Sequence, residues 1–361
     1  MRRFFLLLLL LLVACSSPTP TLAPTAPATS APGETSQPTQ AAPTPTPPTA
    51  TAPPVKIAYF PSAPDIWPDV SAVYTATQTA AQEFGWSFEY GPYRPTLDQL
   101  RAIAQSGLNI AVVAGPSPRD IAREFPNVYF VYLQPPAEPV TDDLPNMLSL
   151  GGAGSRHDQL GFMAGAAAGL ATEFQIVTAI SDPNTVEGLN YRNGFLHGVR
   201  YTCPRCRVQF IDVVDVASAR ETAALYASIG SDVFFAAAGE AGDEALAAAA
   251  QRGAWAIGSG GDVYLTLFGD GAQPGADHVL TSVYFDAGAA VYSALSQFHA
   301  GTPPSGAQPF SAANGAITLA PYRNADPAFN SLDQAEVAKA LARLGDGALE
   351  TGIDPATGQE R

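Results

Sequence analysis

Lysine is nearly missing from this chain of 361 residues, and positive charge is scarce throughout. Lysine occurs only at Lys56 and Lys339, and lysine and arginine together number 18 against 33 aspartates and glutamates. The formal net charge is −15, so the chain offers no basic patch of the kind that binds a phosphate backbone. The composition argues against a nucleic-acid-binding protein and against docking on anionic lipids.

Cysteine, histidine and the common catalytic motifs are also scarce. The chain has three cysteines and four histidines, and the histidines are scattered without metal-ligand spacing. Walker, Rossmann, zinc-protease and nucleophile-elbow patterns are missing, and the glycine-rich segment 258–261 lacks the lysine of a phosphate loop. We therefore expect no catalytic residue, metal or cofactor, and a hydrolase is the weaker alternative.

Only one long apolar run is present, and it stands at the N-terminus. Arg2 and Arg3 precede the apolar residues 4–13, a run too short to cross a bilayer comfortably. It ends in Leu-Val-Ala-Cys, which resembles the signal of bacterial lipoproteins. We interpret 1–14 as a signal peptide and Cys15 as the site of lipidation, on the extracytoplasmic face of the cell membrane. An ordinary signal peptide with a chance cysteine is the alternative.

Two further segments can be interpreted from composition. Residues 15–54 are mainly serine, threonine, proline and alanine, which cannot bury enough apolar surface to order the chain, so we expect a disordered tether. The remaining cysteines, Cys203 and Cys206, are separated by two residues. In an oxidising compartment this spacing favours a structural disulfide over a redox-active pair or a zinc site.

From residue 55 onward, short apolar strands alternate with amphipathic helices. The pattern predicts, among others, helices over 71–84, 157–171, 186–201 and 287–299, and strands over 55–60, 110–114, 128–133, 175–180, 208–214, 232–236, 254–258 and 279–284. Capping boxes are predicted at Thr96 and Ser218. Repeated units of this kind indicate parallel sheets covered on both faces, in two lobes. Ligands of such folds bind where strands end, so we expect a site between the lobes.

Several segments, taken in order, resemble the basic membrane protein family. Segment 161–169 is similar to that family's FLAG-x-x-A helix, 232–242 to its DVIF-x-x-AG-x-x-G segment, 254–258 with Asp262 to its WAIGVD-x-D strand, and 279–283 to its VLTS strand. Asn193-Gly194-Phe195 and the turn at 124–128 fit in order and spacing. The resemblance covers nearly all of the chain after residue 55.

The resemblance implies a type I periplasmic-binding-protein fold: α/β, with two doubly wound parallel-sheet lobes and a hinge. We expect a first lobe of 55–150 and 283–305 and a second of 151–282 and 306–361, with crossings near 150–154, 281–283 and 305. It also implies a solute-binding lipoprotein of an ABC importer, whose partners are a nucleoside-like small molecule and an ABC permease. The lobes would close on the ligand. A sensor or surface lipoprotein without a transport role is the alternative.

The chain departs from the family where a nucleoside would be recognised. The first loop lacks the family's asparagine and carries Asp65 and Trp67 instead, the first carboxylate of the VD-x-D strand falls on Gly260, and the usual lysine falls near Phe285. A less polar, more aromatic cleft is the resulting hypothesis. The candidate ligand-binding residues are Asp65, Trp67, Asp158, Gln159, Gly239, Gly242, Asp262, Tyr284 and Phe285. Gly239 and Gly242 are included because amides at a helix start can face a ligand oxygen; core packing and ordinary helix starts are the alternatives for the set.

Overall fold

The computed structural model describes residues 54–62, 68–134, 144–323 and 329–361. The predicted signal peptide, Cys15 and the tether up to residue 53 lie outside these ranges, as do Asp65 and Trp67. Within the described ranges, no helix combines the length and the apolar composition needed to cross a bilayer.

Strands and helices alternate along the described chain. The strands are β1 Lys56–Phe60, β2 Ser87–Tyr90, β3 Ile110–Val113, β4 Tyr129–Gln134, β5 Met147–Gly151, β6 Ile176–Ser181, β7 Arg207–Asp212, β8 Val233–Ala237, β9 Trp255–Ser259, β10 Val279–Phe285, β11 Gly306–Gln308 and β12 Ile317–Leu319. The helices are α1 Pro68–Phe84, α2 Leu97–Gln105, α3 Arg119–Glu124, α4 His157–Ala171, α5 Val186–Thr202, α6 Val216–Ser228, α7 Gly239–Ala250, α8 Ala287–His299 and α9 Ser331–Gly345.

The strands form two sheets, one in each lobe. The first has the order β2-β1-β3-β4-β5-β11 and is parallel throughout. The second has the order β7-β6-β8-β9-β10-β12 and is parallel except for β12, which runs antiparallel at its edge. Helices cover both faces of each sheet: α1 and α8 oppose α2 and α3 in the first lobe, and α4, α5 and α9 oppose α6 and α7 in the second. This confirms the predicted fold class.

The closest helix packing in the second lobe joins α4 to α5. An added Cβ on Gly165 would collide with the Phe195 carbonyl oxygen, and one on Gly198 would collide with that of Phe162. Glycine at these positions therefore lets the two backbones approach as far as they do. Both helices are thereby fixed beside the second sheet, with the first turn of α5 beside the start of α4.

The chain passes between the lobes three times: after β5, after β10 and after β11. The first crossing follows Gly151, the last residue of β5. The second follows Phe285 instead of residue 282, because residues 283–285 pair with β12 in the second sheet. The third follows Gln308 instead of residue 305, because β11 pairs with β5 in the first sheet. Residues 283–285 and 306–308 thus belong to the lobes opposite to those predicted.

One of the two predicted capping boxes is present in the structure and the other is not. The capping box at Thr96 is present, with Gln99 returning its hydrogen bond. The one predicted at Ser218 is wrong: α6 begins at Val216, and Asp215 caps it by accepting from the Ser218 amide at 2.9 Å. Cys203 and Cys206 form a disulfide at the end of α5. Strands β2, β5, β11 and β12 and helix α9 were not predicted.

Candidate functional site

The carboxyl ends of β6, β8 and β9 surround a cavity of about 350 Å³, which we call the strand-end cavity. It lies at the edge where ligands of parallel α/β sheets bind. Its lining is Asp182, Thr185, Glu187, Gly188, Tyr191, Ala237, Ala238, Gly239, Asp243, Ser259 and Gly260. These residues include three carboxylates and no lysine, arginine or histidine. The cavity therefore presents hydrogen-bond acceptors and negative charge to whatever enters it.

The carboxylates of the strand-end cavity differ in the hydrogen bonds that they accept from the protein. Asp182 Oδ1 accepts from the Asn184 amide at 2.9 Å and from its side chain at 3.0 Å, an Asx turn that fixes the carboxyl group at the end of β6. Asp243, on the first turns of α7, has no hydrogen bond or ion pair with any residue that the structure describes. Burial, reinforced by Glu244 and Glu240, raises the pKa of Asp243 to about 6.

Of the two glycines predicted to face a ligand, one lines this cavity. Gly239 is the first residue of α7, has a φ of +55° and lies beside Asp243 in the lining. Gly242 lies inside α7 and is buried, and its amide donates to the Ala238 carbonyl at 3.3 Å. The first helical turn therefore uses the Gly242 amide, and Gly242 does not line the strand-end cavity.

Asp262 is engaged in an ion pair within the second lobe. Its Oδ2 accepts from Arg323 at 2.7 Å and its Oδ1 from the Tyr264 amide at 3.1 Å. The Arg323 guanidinium lies over the Tyr264 ring, 4.2 Å from the centroid. Both carboxylate oxygens of Asp262 therefore have partners within the protein.

Asp158 and Gln159 form hydrogen bonds that hold the second lobe together. Asp158 is fully buried and accepts two hydrogen bonds of 2.7 Å from Arg156 and one from the Thr351 hydroxyl. Gln159 Oε1 accepts from the Ala312 amide at 2.9 Å, close to the third crossing. The carboxylate and the amide oxygen thus have partners within the protein, and neither residue lines the strand-end cavity.

The predicted aromatic residues of β10 separate into two positions. Tyr284 is half-buried in β10, and burial, followed by Asp286 and Asp262, raises the pKa of its hydroxyl. Phe285 lies at the second crossing, where it contacts His157 and Phe310, with ring centroids 5.1 and 5.5 Å away. Phe285 therefore packs against both lobes and lines a different cavity from the strand-end cavity.

This second cavity, of about 320 Å³, lies where the crossings meet, and we call it the hinge cavity. Its lining is Gly152, Ala153, Gly154, Ser155, His157, Val186, Glu187, Asn190, Phe285, Phe310 and Pro355. Glu187 is shared with the strand-end cavity. Its Oε1 lies 3.3 Å from His157 Nε2, while burial lowers the pKa of His157. The hinge cavity is thus more apolar, with a single carboxylate at its border.

Sequence reasoning missed Asp182, Glu187, Asn190 and Asp243. Asp182 follows strand β6 directly, and Asp243 follows β8, the next strand of the sheet, by six residues. The strand-end rule applied to each strand would have found Asp182 and drawn attention to Asp243. No group of three or more potential metal ligands occurs among the described residues.

Comparisons with known proteins agree with this architecture. The family described as "ABC transporter substrate-binding protein PnrA-like" (Bmp) matches residues 89–343, well over half of the chain. An ABC transporter system solute-binding protein from Conexibacter woesei DSM 14684 is 21% identical, with a TM-score of 0.55 over 82% of this chain and 98% of that one. A transcriptional activator of the comK gene from Bacillus halodurans is 17% identical, with a TM-score of 0.54 over 82% and 99%. At these identities the likeness shows the fold. No curated protein matches the chain.

Proposed function

Because the chain belongs to the PnrA-like family of ABC transporter substrate-binding proteins, we propose that it captures a nucleoside-like solute in the strand-end cavity and presents it to an ABC permease. The solute carries hydroxyl donors and no phosphate. The strand-end cavity is the observation that supports this class, because its lining offers carboxylates and lacks a cationic side chain.

Hydrogen-bond acceptors near the ends of two strands can bind the two hydroxyl groups of a diol. Asp182 is held at the end of β6 by its Asx turn, and Asp243 stands half-buried beside Gly239 without a partner among the described residues. A carboxylate that gains two hydroxyl donors recovers hydrogen bonds that burial has removed. In this proposal Asp182 and Asp243 take the role that the family resemblance assigned to Asp262, whose oxygens Arg323 and Tyr264 engage.

The same lining disfavours a phosphorylated solute. A phosphate would enter a cavity with three carboxylates and no lysine, arginine or histidine, so like charges would repel at short range. The helix start at Gly239 supplies only the partial positive charge of a helix N-terminus. Discrimination between a nucleoside and its monophosphate therefore follows from the site's charge.

The N-terminus supports the proposed location. Cleavage before Cys15 and lipidation of that cysteine would hold the protein on the extracytoplasmic face of the membrane, with the tether setting its reach. Use as a sensor, without a permease, is the second candidate. The sequence similarity to transporter components favours transport, and uptake of labelled solute by membrane vesicles that contain the permease would distinguish the two.

Thermal unfolding of the purified chain with added solutes tests the proposal. A ligand that binds only the native state raises the melting temperature with its concentration. We expect inosine, guanosine or adenosine to raise it, the matching monophosphate to have no effect, and Asp243→Asn to reduce the ligand-induced shift. Glu240→Gln, an exposed carboxylate on the same helix turn, is the matched control.

Three results would contradict parts of the proposal. An equal shift with the monophosphate would rule out discrimination by the acidic lining. A shift that survives Asp243→Asn unchanged would place the solute elsewhere. A shift with another small molecule, and with no nucleoside, would keep the transport role and exclude the nucleoside assignment.

A further inference from the structure

The hinge cavity is lined by residues from all three crossings between the lobes. Gly152, Gly154 and Ser155 come from the first crossing, Phe285 from the second and Phe310 from the third. The first turns of α5 and Pro355 of the C-terminal segment complete it. A molecule in this cavity would contact every segment whose backbone must change when the lobes move.

The apolar wall of the hinge cavity suits a flat ring. Phe285 stands between His157 and Phe310, at centroid distances of 5.1 and 5.5 Å, and Val186 adds an aliphatic side. Aromatic side chains at such spacing offer edges and faces to a further ring. A volume of about 320 Å³ is at the lower end for small-molecule sites, which limits the occupant to one or two fused rings with a short side chain.

The carboxylate at the border of the hinge cavity favours a bound molecule with a positive charge. Glu187 is the only carboxylate in the lining, its side chain is 62% exposed, and no lysine or arginine is present. His157 does not supply a compensating positive charge near pH 7, because burial holds its pKa below the usual value. An ammonium group near Glu187 gains attraction, whereas a carboxylate there is repelled.

We propose that the hinge cavity is a second binding site, adjoining the solute site at Glu187, for a small aromatic molecule that carries an amine. Its ring packs against Phe285 and Phe310, and its ammonium group donates to Glu187. Because the wall comes from all three crossings, the occupant's affinity depends on the arrangement of the lobes, and its binding is linked reciprocally to solute binding.

Calorimetric titration of the full purified chain tests this site with three probes that share one ring system: tryptamine, indole and indole-3-acetate. We expect tryptamine to bind, indole to bind more weakly and indole-3-acetate not to bind. Phe310→Leu should weaken tryptamine and indole alike. Glu187→Gln should weaken tryptamine about fivefold to tenfold, as expected for one partly exposed charged hydrogen bond, and should leave indole unchanged. Glu240→Gln is the control for loss of one acidic group.

Asp243→Asn separates this proposal from the solute site, because Asp243 lines only the strand-end cavity. We expect it to leave tryptamine affinity unchanged. Loss of tryptamine binding in Asp243→Asn but not in Phe310→Leu would overturn the proposal, as would equal binding of tryptamine and indole-3-acetate, or no binding of tryptamine and indole. Nucleoside binding is measured separately, so either proposal can fail without the other.

Discussion

Two regions of the second lobe differ in whether a carboxylate has hydrogen-bond partners within the protein. Where α4 packs against α5 and the C-terminal segment, Asp158 is fully buried and both of its oxygens are bonded by Arg156 and Thr351. At the strand-end cavity, Asp243 is half-buried, and none of the described residues bonds to its carboxylate. The first arrangement satisfies a charge within the protein. The second leaves a charge unsatisfied beside a cavity.

The difference separates groups that hold the fold from groups that are available to a ligand. A buried charge with complete partners cannot be removed without stranding them, so Asp158 is part of the scaffold. A partly desolvated carboxylate without partners opposes folding in its charged form. Such a residue destabilises the protein, and a role in binding gives a reason for its presence.

Asp158→Ala should have the largest effect on stability. It leaves the Arg156 guanidinium beside a buried space and removes the acceptor of the Thr351 hydroxyl, and breaking a buried pair in this way costs about 3–5 kcal/mol. Chemical denaturation should show a correspondingly lower midpoint. Loss of Thr351 alone, in Thr351→Val, should cost less because the ion pair remains. An unchanged denaturation midpoint in Asp158→Ala would show that Asp158 does not stabilise the fold, and would contradict the difference proposed between Asp158 and Asp243.

Gly165→Ala should have the next largest effect, because the added methyl would collide with the Phe195 carbonyl oxygen. The two helices must separate to admit it, and such overpacking typically costs about 1–3 kcal/mol. Denaturation midpoints give the measurement. Gly261→Ala is the control, since nothing lies within 4 Å of the added methyl and its backbone φ is not in the left-handed region. Equal stability of the two variants would show that α4 and α5 can readily move apart.

Asp243→Asn should have the smallest effect and the opposite sign. The pKa of Asp243 in the folded chain is about 6 against an ordinary 3.8, so the folded state binds the proton more tightly and stability falls as the pH rises between about 4 and 6. The substitution removes a penalty that is complete above pH 6. After allowance for solvent screening, we expect about 1 kcal/mol of stabilisation at pH 7.5.

Thermal unfolding of this variant at two pH values checks the sign. The gain in melting temperature over the unsubstituted chain should be present at pH 7.5 and should shrink at pH 4, where Asp243 is protonated in the unsubstituted folded chain. Glu221→Gln, an exposed carboxylate on α6 that is not among the groups raising the pKa of Asp243, provides the comparison for removing an exposed charge. A gain of equal size at both pH values would mean that the carboxylate is not destabilised by burial.

Local patterns predicted the regular elements well and the long-range pairings poorly. Helices α4 and α8 have the predicted bounds, because a helix start and an apolar period lie within one stretch of sequence. Asp158 is bonded by Arg156, two residues away, and also by Thr351, 193 residues away, and no local pattern could show the second contact. The three-residue strand β11 is too short to carry a period, so the third crossing was predicted too early.

The candidate site was harder to predict than the strands and helices. A position at a helix start predicts ligand contact for Asp158, Gln159 and Gly242, yet helix starts also serve packing and capping, and the structure gives all three hydrogen bonds within the second lobe. The family motif placed Asp262 at the site, but its pairing with Arg323 depends on a segment 61 residues away. The rule that ligands meet the carboxyl ends of strands needs only the strand positions, and it leads to Asp182.

The three crossings also restrict how the gene can be divided. A reading frame ended after codon 285 would encode every strand of the second sheet except β12, and its product would lack α8 and β11 from the first lobe as well as α9 from the second. Neither half of such a split gene would specify a complete lobe. Expressing an isolated lobe, or exchanging a lobe with a relative, therefore requires cuts at all three crossings, after Gly151, Phe285 and Gln308.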